Sequence, residues 1–393
     1  MLYRELGNSG VKVSAVSFGS MRYSSEQNAH EVINRGLDLG MNYIDTSSGY
    51  VGGNSEKWSG AAVRKRRGEI YFSSKSNWCK ALAADGVRAA IEKSLANAGL
   101  DYFDFYQLWG LEKPETLPEA LVKGGFIDGV RQAQKDGLIR HGLGFTFHGN
   151  DELFRAAIDT GEFCCATVSY NLMNRKEESN IAYAASKGVG VIIMNPMAGG
   201  LLGLAGDPSL DFLCPPGKEG DSPLFHTAEK GDSPLRRGPW WGALRFLLAN
   251  PAIATSIIGS TWPAEVDMAA AALEGLAELG SDFRADLARR MDQSRKDGKS
   301  AEGTFCTGCG YCKECPHGFN PTRFMQVMRD FAIYGVAEKD LRHWILSQYP
   351  HQNVFEHLAK CTECGECQLK CPQHLQIVEM IRKVKSAMGV PGK

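Results

Sequence analysis

The chain has 393 residues, 43% hydrophobic and 23% charged, which is enough apolar material for one large domain and a smaller one. Its net charge of −1 gives no global field for nucleic acid or a membrane surface. It contains no apolar run long enough to span a bilayer, and its first residues, MLYRELGNSGVKVSAVSFG, lack a signal-peptide pattern, so a cytoplasmic protein is expected.

In chain order, eight runs read as strands: VSAVSFGS, MNYIDTS, IYFSSKS, FDFYQLW, IRHGLGFTF, CATVSYNL, VGVIIMN and ATSIIGS. Between them lie helical patterns such as ADGVRAAIEKSLANAGL, with apolar residues at i, i+3, i+4 and i+7. Many of the strands are continuously apolar, as a parallel sheet covered on both faces requires. Eight such units within about 250 residues fit a (β/α)8 TIM barrel. A doubly wound sheet would carry a glycine-rich turn after its first strand, and no GxGxxG follows VSAVSFGS. Between the seventh and eighth strands, Ala205 to Pro239 is rich in Gly, Pro, Asp and Ser and reads as a loop leaving the C-terminal rim, either a lid or a surface excursion. Helical patterning then runs to about Lys299. Further on, Phe324, Val327, Met328 and Phe331, then Leu341, Trp344 and Ile345, keep helical spacing, so the C-terminal part is expected to be mainly helical.

The cysteines are unevenly placed. Cys79, Cys164, Cys165 and Cys214 are scattered, while the other eight lie between positions 306 and 371. Thiols crowded at short repeated spacings read as metal ligands rather than disulfides. The first run, CTGCGYCKECP, contains Cys306, Cys309, Cys312 and Cys315; the second, CTECGECQLKCP, contains Cys361, Cys364, Cys367 and Cys371. In two-cluster ferredoxins the fourth cysteine of each run, the one before Pro, ligates the other cluster. By that rule Cys306, Cys309, Cys312 and Cys371 hold one [4Fe–4S] cluster, and Cys361, Cys364, Cys367 and Cys315 hold the other. Two zinc sites of four thiolates are the alternative, but zinc ribbons use paired CxxC motifs, not four-cysteine runs ending in Pro. The CxxxCxxC triplet of radical SAM enzymes is absent. The expected division is a barrel over 1–280, a helical linker over 281–303 and a ferredoxin-like domain with two [4Fe–4S] clusters over 304–393.

Within the barrel region, NYIDTSSGY places Asp45 and Tyr50 after the second strand, GGNSE follows at Gly52 to Glu56, and IYFSSKS puts Lys75 at the end of the third. IIMNPMAGGLL ends the seventh strand and SIIGSTWPAEV spans the eighth. Together these segments resemble the aldo-keto reductase superfamily over about residues 1–280. With the cysteine runs, the whole chain resembles its ferredoxin-fused branch. The resemblance implies an oxidoreductase in which Tyr50 gives a proton to the substrate oxygen, Lys75 tunes it and Asp45 holds Lys75. The chemistry suits these types, since a phenol of pKa about 10 is a poor acid unless a nearby ammonium stabilises its phenolate. Each residue alone would read as a cap, a packing ring or a solvated cation; the trio at strand ends favours catalysis.

The family's usual His at the end of the fourth strand is here Trp109, which donates only through its indole N–H. That change favours a different substrate pose, such as reduction of a conjugated C=C, and makes His148 a candidate replacement or a rim histidine. For a cofactor, Gly259, Ser260 and Thr261 open a helix that faces phosphate in the family. Thr146 and Asn171 are candidates for a nicotinamide carboxamide, and Met194, Asn195 and Pro196 line its place. Thr261 and Ala269 stand where relatives carry a basic residue and an Asn, so NAD(H) or NADP(H) is expected without preference for the latter.

Cubane clusters move one electron at a time and a hydride carries two, so joining them calls for a flavin-like converter, of which no fingerprint is present. Three readings are open. In the first, nicotinamide serves the barrel and the clusters supply, accept or sense electrons. In the second, the clusters feed the barrel without nicotinamide. In the third, the chain is a non-catalytic electron carrier or redox sensor on a retired barrel. The expected partners are a small-molecule substrate and a ferredoxin or other electron-transfer protein, with no nucleic acid and no membrane.

Overall fold

The computed structural model describes residues 1–77, 83–203, 208–214, 238–296, 306, 310–333, 338–349, 353–371 and 374–391. An antiparallel pair, β1 (Tyr3–Glu5) and β2 (Lys12–Ser14), precedes β3 (Val16–Gly19), β4 (Tyr43–Asp45), β5 (Tyr71–Asn77), β6 (Phe103–Leu111), β7 (Ile139–Phe147), β8 (Cys165–Ser169), β9 (Gly190–Met194) and β10 (Ile253–Ile258). The last eight are parallel and close on themselves in the order β10-β3-β4-β5-β6-β7-β8-β9. This is the expected (β/α)8 barrel, and each of the eight runs read as strands supplies one staff. Their continuous apolarity comes from position, since one face of each strand points into the barrel and the other lies under a helix.

The interior is layered. Tyr43, Phe105, Cys165 and Ile192 fill the end nearest the strand N-termini, together with Leu6 from the β1–β2 connection. That connection plugs the barrel floor. Gly7 has φ +57°, its backbone lies against Gly188, Gly190 and Cys164, and Asn8 N–H donates to Gly188 O at 2.8 Å. Above the apolar plug the inward side chains turn polar: Ser73, Gln107 and Thr167, then Asp45 and Lys75, all buried. Water is thus excluded from below, and the barrel is open to chemistry at its C-terminal end.

The helix Phe283–Lys296 lies against the barrel and buries Leu287 and Met291 in its core. In the Ala205–Pro239 insertion, Pro208–Leu213 forms a short 3-10 turn and Pro239 opens the helix Pro239–Leu248; the stretches 204–207 and 215–237, on which the lid expectation rests, lie outside the described residues. The C-terminal part builds a second core from helices Pro321–Ile333, Leu341–Gln348, Val354–Ala359 and Ile377–Met388, centred on Phe324, Val327, Ile345, Leu358 and Ile381. The expected helical spacing is present over residues 324–331 and 341–345. Among the described residues no helix is long and apolar enough to cross a membrane.

Gly7 tests the floor. A Cβ there would lie 2.3 Å from Gly190 N and 2.6 Å from Gly188 O, both backbone atoms with no room to move. Gly7→Ala is expected to cost about 2–4 kcal/mol, seen as an earlier unfolding transition of the barrel. Gly68→Ala, where a Cβ meets nothing within 4 Å, leaves the transition in place.

Candidate active site and cluster sites

Strand register builds the first site. Asp45 ends β4 opposite Ser73 of β5, and Lys75 of β5 lies opposite Gln107 of β6. Lys75 Nζ donates to Asp45 Oδ1 at 2.5 Å, with side-chain exposures of 1% and 3%. The second carboxylate oxygen accepts from Gln107 Nε2 at 2.7 Å. Gln107 Nε2 also donates to Ser73 Oγ at 2.9 Å, and its Oε1 accepts from Thr167 Oγ1 at 2.7 Å. The ion pair is therefore held across β4, β5, β6 and β8 with both carboxylate oxygens partnered, as a buried charge requires. Sequence reasoning missed Gln107, Ser73 and Thr167. The one available signal was an amide in the middle of the apolar run FDFYQLW.

Tyr50 sits five residues past β4, at the head of a turn in which Val51, Gly52 and Gly53 all have positive φ (53°, 63° and 93°). Val51 is β-branched and costly in the left-handed region, so the surroundings must impose the turn. Glu56, fully buried in the helix Ser55–Val63, anchors the chain just past this turn: it accepts from Ser74 Oγ at 2.6 Å and Asn97 Nδ2 at 3.0 Å. Lys75 Nζ stands 4.8 Å from the Tyr50 ring centroid, and Trp109 meets the same ring edge-on at 5.7 Å. Burial, and after it the Asp45 charge, push the Tyr50 pKa well above the usual phenol value. At neutral pH the hydroxyl keeps its proton, and as placed it is a weaker acid than a free phenol, so the lowering expected from Lys75 is not seen.

Other expected contacts are arranged differently. Asn171 is buried and its amide is engaged by the chain: Oδ1 accepts from Met173 N and Asn174 N, and Nδ2 donates to Asn195 O. Thr146 Oγ1 accepts from Gly110 N at 2.8 Å, fixing the end of β6 beside Trp109. Asn195 has φ +58° and its Oδ1 accepts from Gly199 N, while its Nδ2 is a buried donor with no hydrogen-bond partner among the described residues; it lies beside Met194 and Pro196 at the end of β9. At the Gly259–Ser260–Thr261 turn, the helix begins at Pro263, which has no N–H. The Thr261 and Trp262 N–H groups donate to Glu265 Oε2 at 2.6 and 3.1 Å. The chain's own carboxylate thus takes the Thr261 N–H, one of the donors expected to meet a phosphate.

His148, just past β7, faces the C-terminal part of the chain. Its Nε2 lies 3.3 Å from Tyr311 Oη, and the two rings meet at 5.0 Å. Burial, followed by the charges of Lys176 and His374, pulls the His148 pKa down to about 3, so the ring is neutral at physiological pH. Nearby, Lys176 Nζ donates to His374 Nε2 at 2.5 Å. Tyr311 lies in the first cysteine run and His374 just past the second, so both runs touch the barrel rim.

Cys315, Cys361, Cys364 and Cys367 line one small pocket. Three come from one loop and the fourth from the other run. This donor set suits a cubane, whose corners are spread too widely for one tight loop. Burial pushes the Cys367 thiol up to about 12, with Cys312, Cys361 and Cys364 adding to it. Thiols massed in this way resist ionising without a cation among them. Cys306, Cys312 and Cys371 are buried nearby, and Cys309 lies outside the described residues.

The aldo/keto reductase family model matches residues 15–279. The chain belongs to the aldo/keto reductase family. The 4Fe-4S dicluster domain model matches residues 302–375, which marks the C-terminal part as an iron–sulfur region. This aldo/keto reductase is 29% identical over 297 residues to the L-galactose dehydrogenase of Arabidopsis thaliana, covering 71% of this chain and 90% of that protein. It is 25% identical over 292 residues to the 6-dehydroglucose reductase of Novosphingobium aromaticivorans, covering 69% and 90%. The holo form of an aldo-keto reductase from Bacillus halodurans superposes with a TM-score of 0.59 at 23% identity, over 74% of this chain and 96% of that one. An aldo/keto reductase from Klebsiella pneumoniae in complex with NADP and acetate gives a TM-score of 0.56 at 20% identity, over 72% and 93%. At these identities the structural likeness speaks for the fold.

Two outcomes check the site. Asp45→Asn leaves the Lys75 charge buried without its counter-ion and is expected to cost about 3–5 kcal/mol in denaturant unfolding. The His148 pKa lies below its unfolded value, so the unfolded chain binds the extra proton between about pH 6.5 and about 3. Stability from this group is complete above about pH 6.5 and falls as pH drops through that window. Wild type should therefore lose thermal stability more steeply than His148→Phe between about pH 7.5 and 5.5.

Proposed function

We propose that this aldo/keto reductase reduces or oxidises a small organic substrate, a carbonyl compound or a conjugated alkene, in the barrel pocket, with electrons relayed by or to two [4Fe–4S] clusters. The observation that carries this reading is the seating of both cysteine runs on the barrel rim, through Tyr311 against His148 and His374 against Lys176. Cys315, Cys361, Cys364 and Cys367 would hold one cluster and Cys306, Cys309, Cys312 and Cys371 the other, and each cluster would supply or take one electron. Reducing a carbonyl to an alcohol takes two electrons and two protons: from a nicotinamide, both electrons and the carbon-bound hydrogen would arrive as hydride and one proton would go to oxygen, whereas with the clusters as donors two one-electron steps would be joined by a solvent proton to carbon.

The chain's own residues do the rest. Tyr50, protonated at neutral pH, gives one proton to the substrate oxygen. The Lys75 ammonium, paired to Asp45, lies 4.8 Å from the Tyr50 ring centroid, where it would offset part of the charge left on the phenolate. Trp109 takes the place of the family's usual His and forms an aromatic wall against Tyr50, so the substrate oxygen is oriented by Tyr50 without a second proton-sharing ring. Neutral His148 meets Tyr311 at the rim, joining the first cysteine run to the barrel. The names of the two curated relatives make a sugar-derived carbonyl compound the first substrate class to test.

The reading is tested on anaerobically purified protein. It is expected to hold about eight irons per chain and a broad visible band. That band is then titrated with NADH, with NADPH, and with dithionite or reduced ferredoxin. Bleaching by either nicotinamide identifies the donor, and bleaching only by the others assigns electron delivery to the clusters. Tyr50→Phe should lower kcat for the barrel substrate about 10²–10⁴-fold while the band still bleaches. A variant equal to wild type with every substrate would leave a carrier rather than an enzyme. Colourless, zinc-bearing protein would end the iron–sulfur reading.

A further inference from the structure

The two cysteine runs and the helices behind them are built alike. Cys315 to Pro321 and Cys371 to Ile377 are both six residues, and Pro321 and Ile377 begin the helices Pro321–Ile333 and Ile377–Met388. Cys315 to Arg329 and Cys371 to Lys385 are both fourteen residues. Each of these cations reaches back to the first cysteine of its own run. Arg329 Nη1 donates to Cys306 O at 3.1 Å, and Lys385 Nζ donates to Cys361 O at 2.8 Å. A cation recurs at the same place, on the same backbone carbonyl, behind each set of thiols.

The two are not equally deep. Lys385 is 2% exposed and lies on a helix face made of Ile377, Val378, Ile381, Val384 and Met388. Its other partner is Glu363 Oε1 at 3.0 Å, and Glu363 also accepts from Arg382 Nε at 2.8 Å. Glu363 lies between Cys361 and Cys364 with φ +60°, so Lys385 grips the ligand loop at two points. Arg329 is only half-buried. Burying an ammonium in an apolar face costs desolvation that another leucine would not. What the ammonium adds is a positive charge fixed in a low-dielectric setting directly behind the thiols.

We propose that Lys385 is a positioning residue that raises the reduction potential of the cluster held by Cys361, Cys364, Cys367 and Cys315, and that Arg329 acts in the same way, more weakly, on the cluster of the other run. The inference rests on the reading that these cysteines hold clusters. The physical reason is that adding an electron makes the cluster more negative, and a nearby fixed cation favours that state. Solvent screens Arg329 more than Lys385, so the two runs differ in potential and the Cys361 cluster fills first.

The test is an anaerobic redox titration of the full-length iron-loaded protein, followed by electron paramagnetic resonance, with iron content measured in parallel. Lys385→Met should make one of the two reduction steps about tenfold less favourable, ~59 mV for one electron, and leave the other in place. Lys385→Arg should keep most of the wild-type value. Glu363→Gln, which removes the counter-charge and keeps Lys385, should move the same step in the opposite direction. Arg329→Met should move the other step, and by less. The proposal is overturned if Lys385→Met retains its iron with both steps unmoved, or if Glu363→Gln shifts the step downward as general loosening of the loop would. Should Lys385→Met lose its cluster, the sign of the Glu363→Gln shift decides. Wild-type protein without iron removes the underlying cluster reading, and the inference with it, a result that the iron assay separates from unmoved potentials.

Discussion

The barrel's polar layer is built around one buried ion pair, Lys75 with Asp45, held at 2.5 Å where β4 and β5 end. Neither charge is tolerable there alone. The pair is kept by a polar layer in an otherwise apolar barrel: Gln107 reaches the free carboxylate oxygen, and Thr167 and Ser73 hold Gln107. Those contacts join β4, β5, β6 and β8, so the orientation of one lysine is set by the closure of the barrel itself. Tyr50 then needs only a turn of the right shape. The left-handed Val51–Gly52–Gly53 segment provides it, and the buried Glu56 prevents it from relaxing.

A second constraint comes from outside the barrel. The C-terminal part has its own core, so it does not need the barrel for its packing. It nevertheless meets the rim, at His148 and Lys176, with residues from both cysteine runs. Desolvation first, and then the nearby Lys176, keep His148 neutral, so the His148–Tyr311 contact itself carries no charge. In the proposed function this divides the labour: proton supply rests with Tyr50 inside the barrel, and electron supply enters across a neutral aromatic contact above it. The turn at Thr261–Glu265 is consistent with that division, because Glu265 takes the Thr261 N–H, one of the donors that an anion would meet there.

The fold was legible because its signals are local. Eight apolar runs at regular intervals define a parallel barrel whichever residues fill it, and crowded cysteines before Pro define a metal-binding run at any depth of burial. Asp45, Tyr50 and Lys75 were legible as types at strand ends. The residues that hold them in place were not. Gln107, Ser73 and Thr167 come from three strands whose mutual register appears only once the barrel closes. The same holds for Tyr311, which is 163 residues from His148 in sequence, and for Asn171, whose amide looks available until the backbone of Met173 and Asn174 turns back upon it. Glu265 was closer to view: a carboxylate three residues after Trp262 is the spacing of a capping box, and it competes with the phosphate reading of the same turn.

The likeness of the two cysteine runs has a limit that bears on how they work. The second run has one more residue before its last cysteine, and there Glu366–Leu369 forms a single helical turn that contains Cys367. The turn pushes Leu369 out to 82% exposure, and Cys364 is exposed beside it, whereas Cys312 of the first run is buried and its neighbour Tyr311 faces the barrel. The two runs therefore differ in surroundings although they share a plan: Cys312 of the first is buried beside a residue that meets the barrel, and Cys364 of the second is exposed. Solvent exposure alone would tend to make their potentials unequal, and the buried Lys385 acts on the second. Its depth matters for this reason, since a cation at the surface would be screened within a Debye length, while one sealed behind the loop acts on its thiols at any ionic strength.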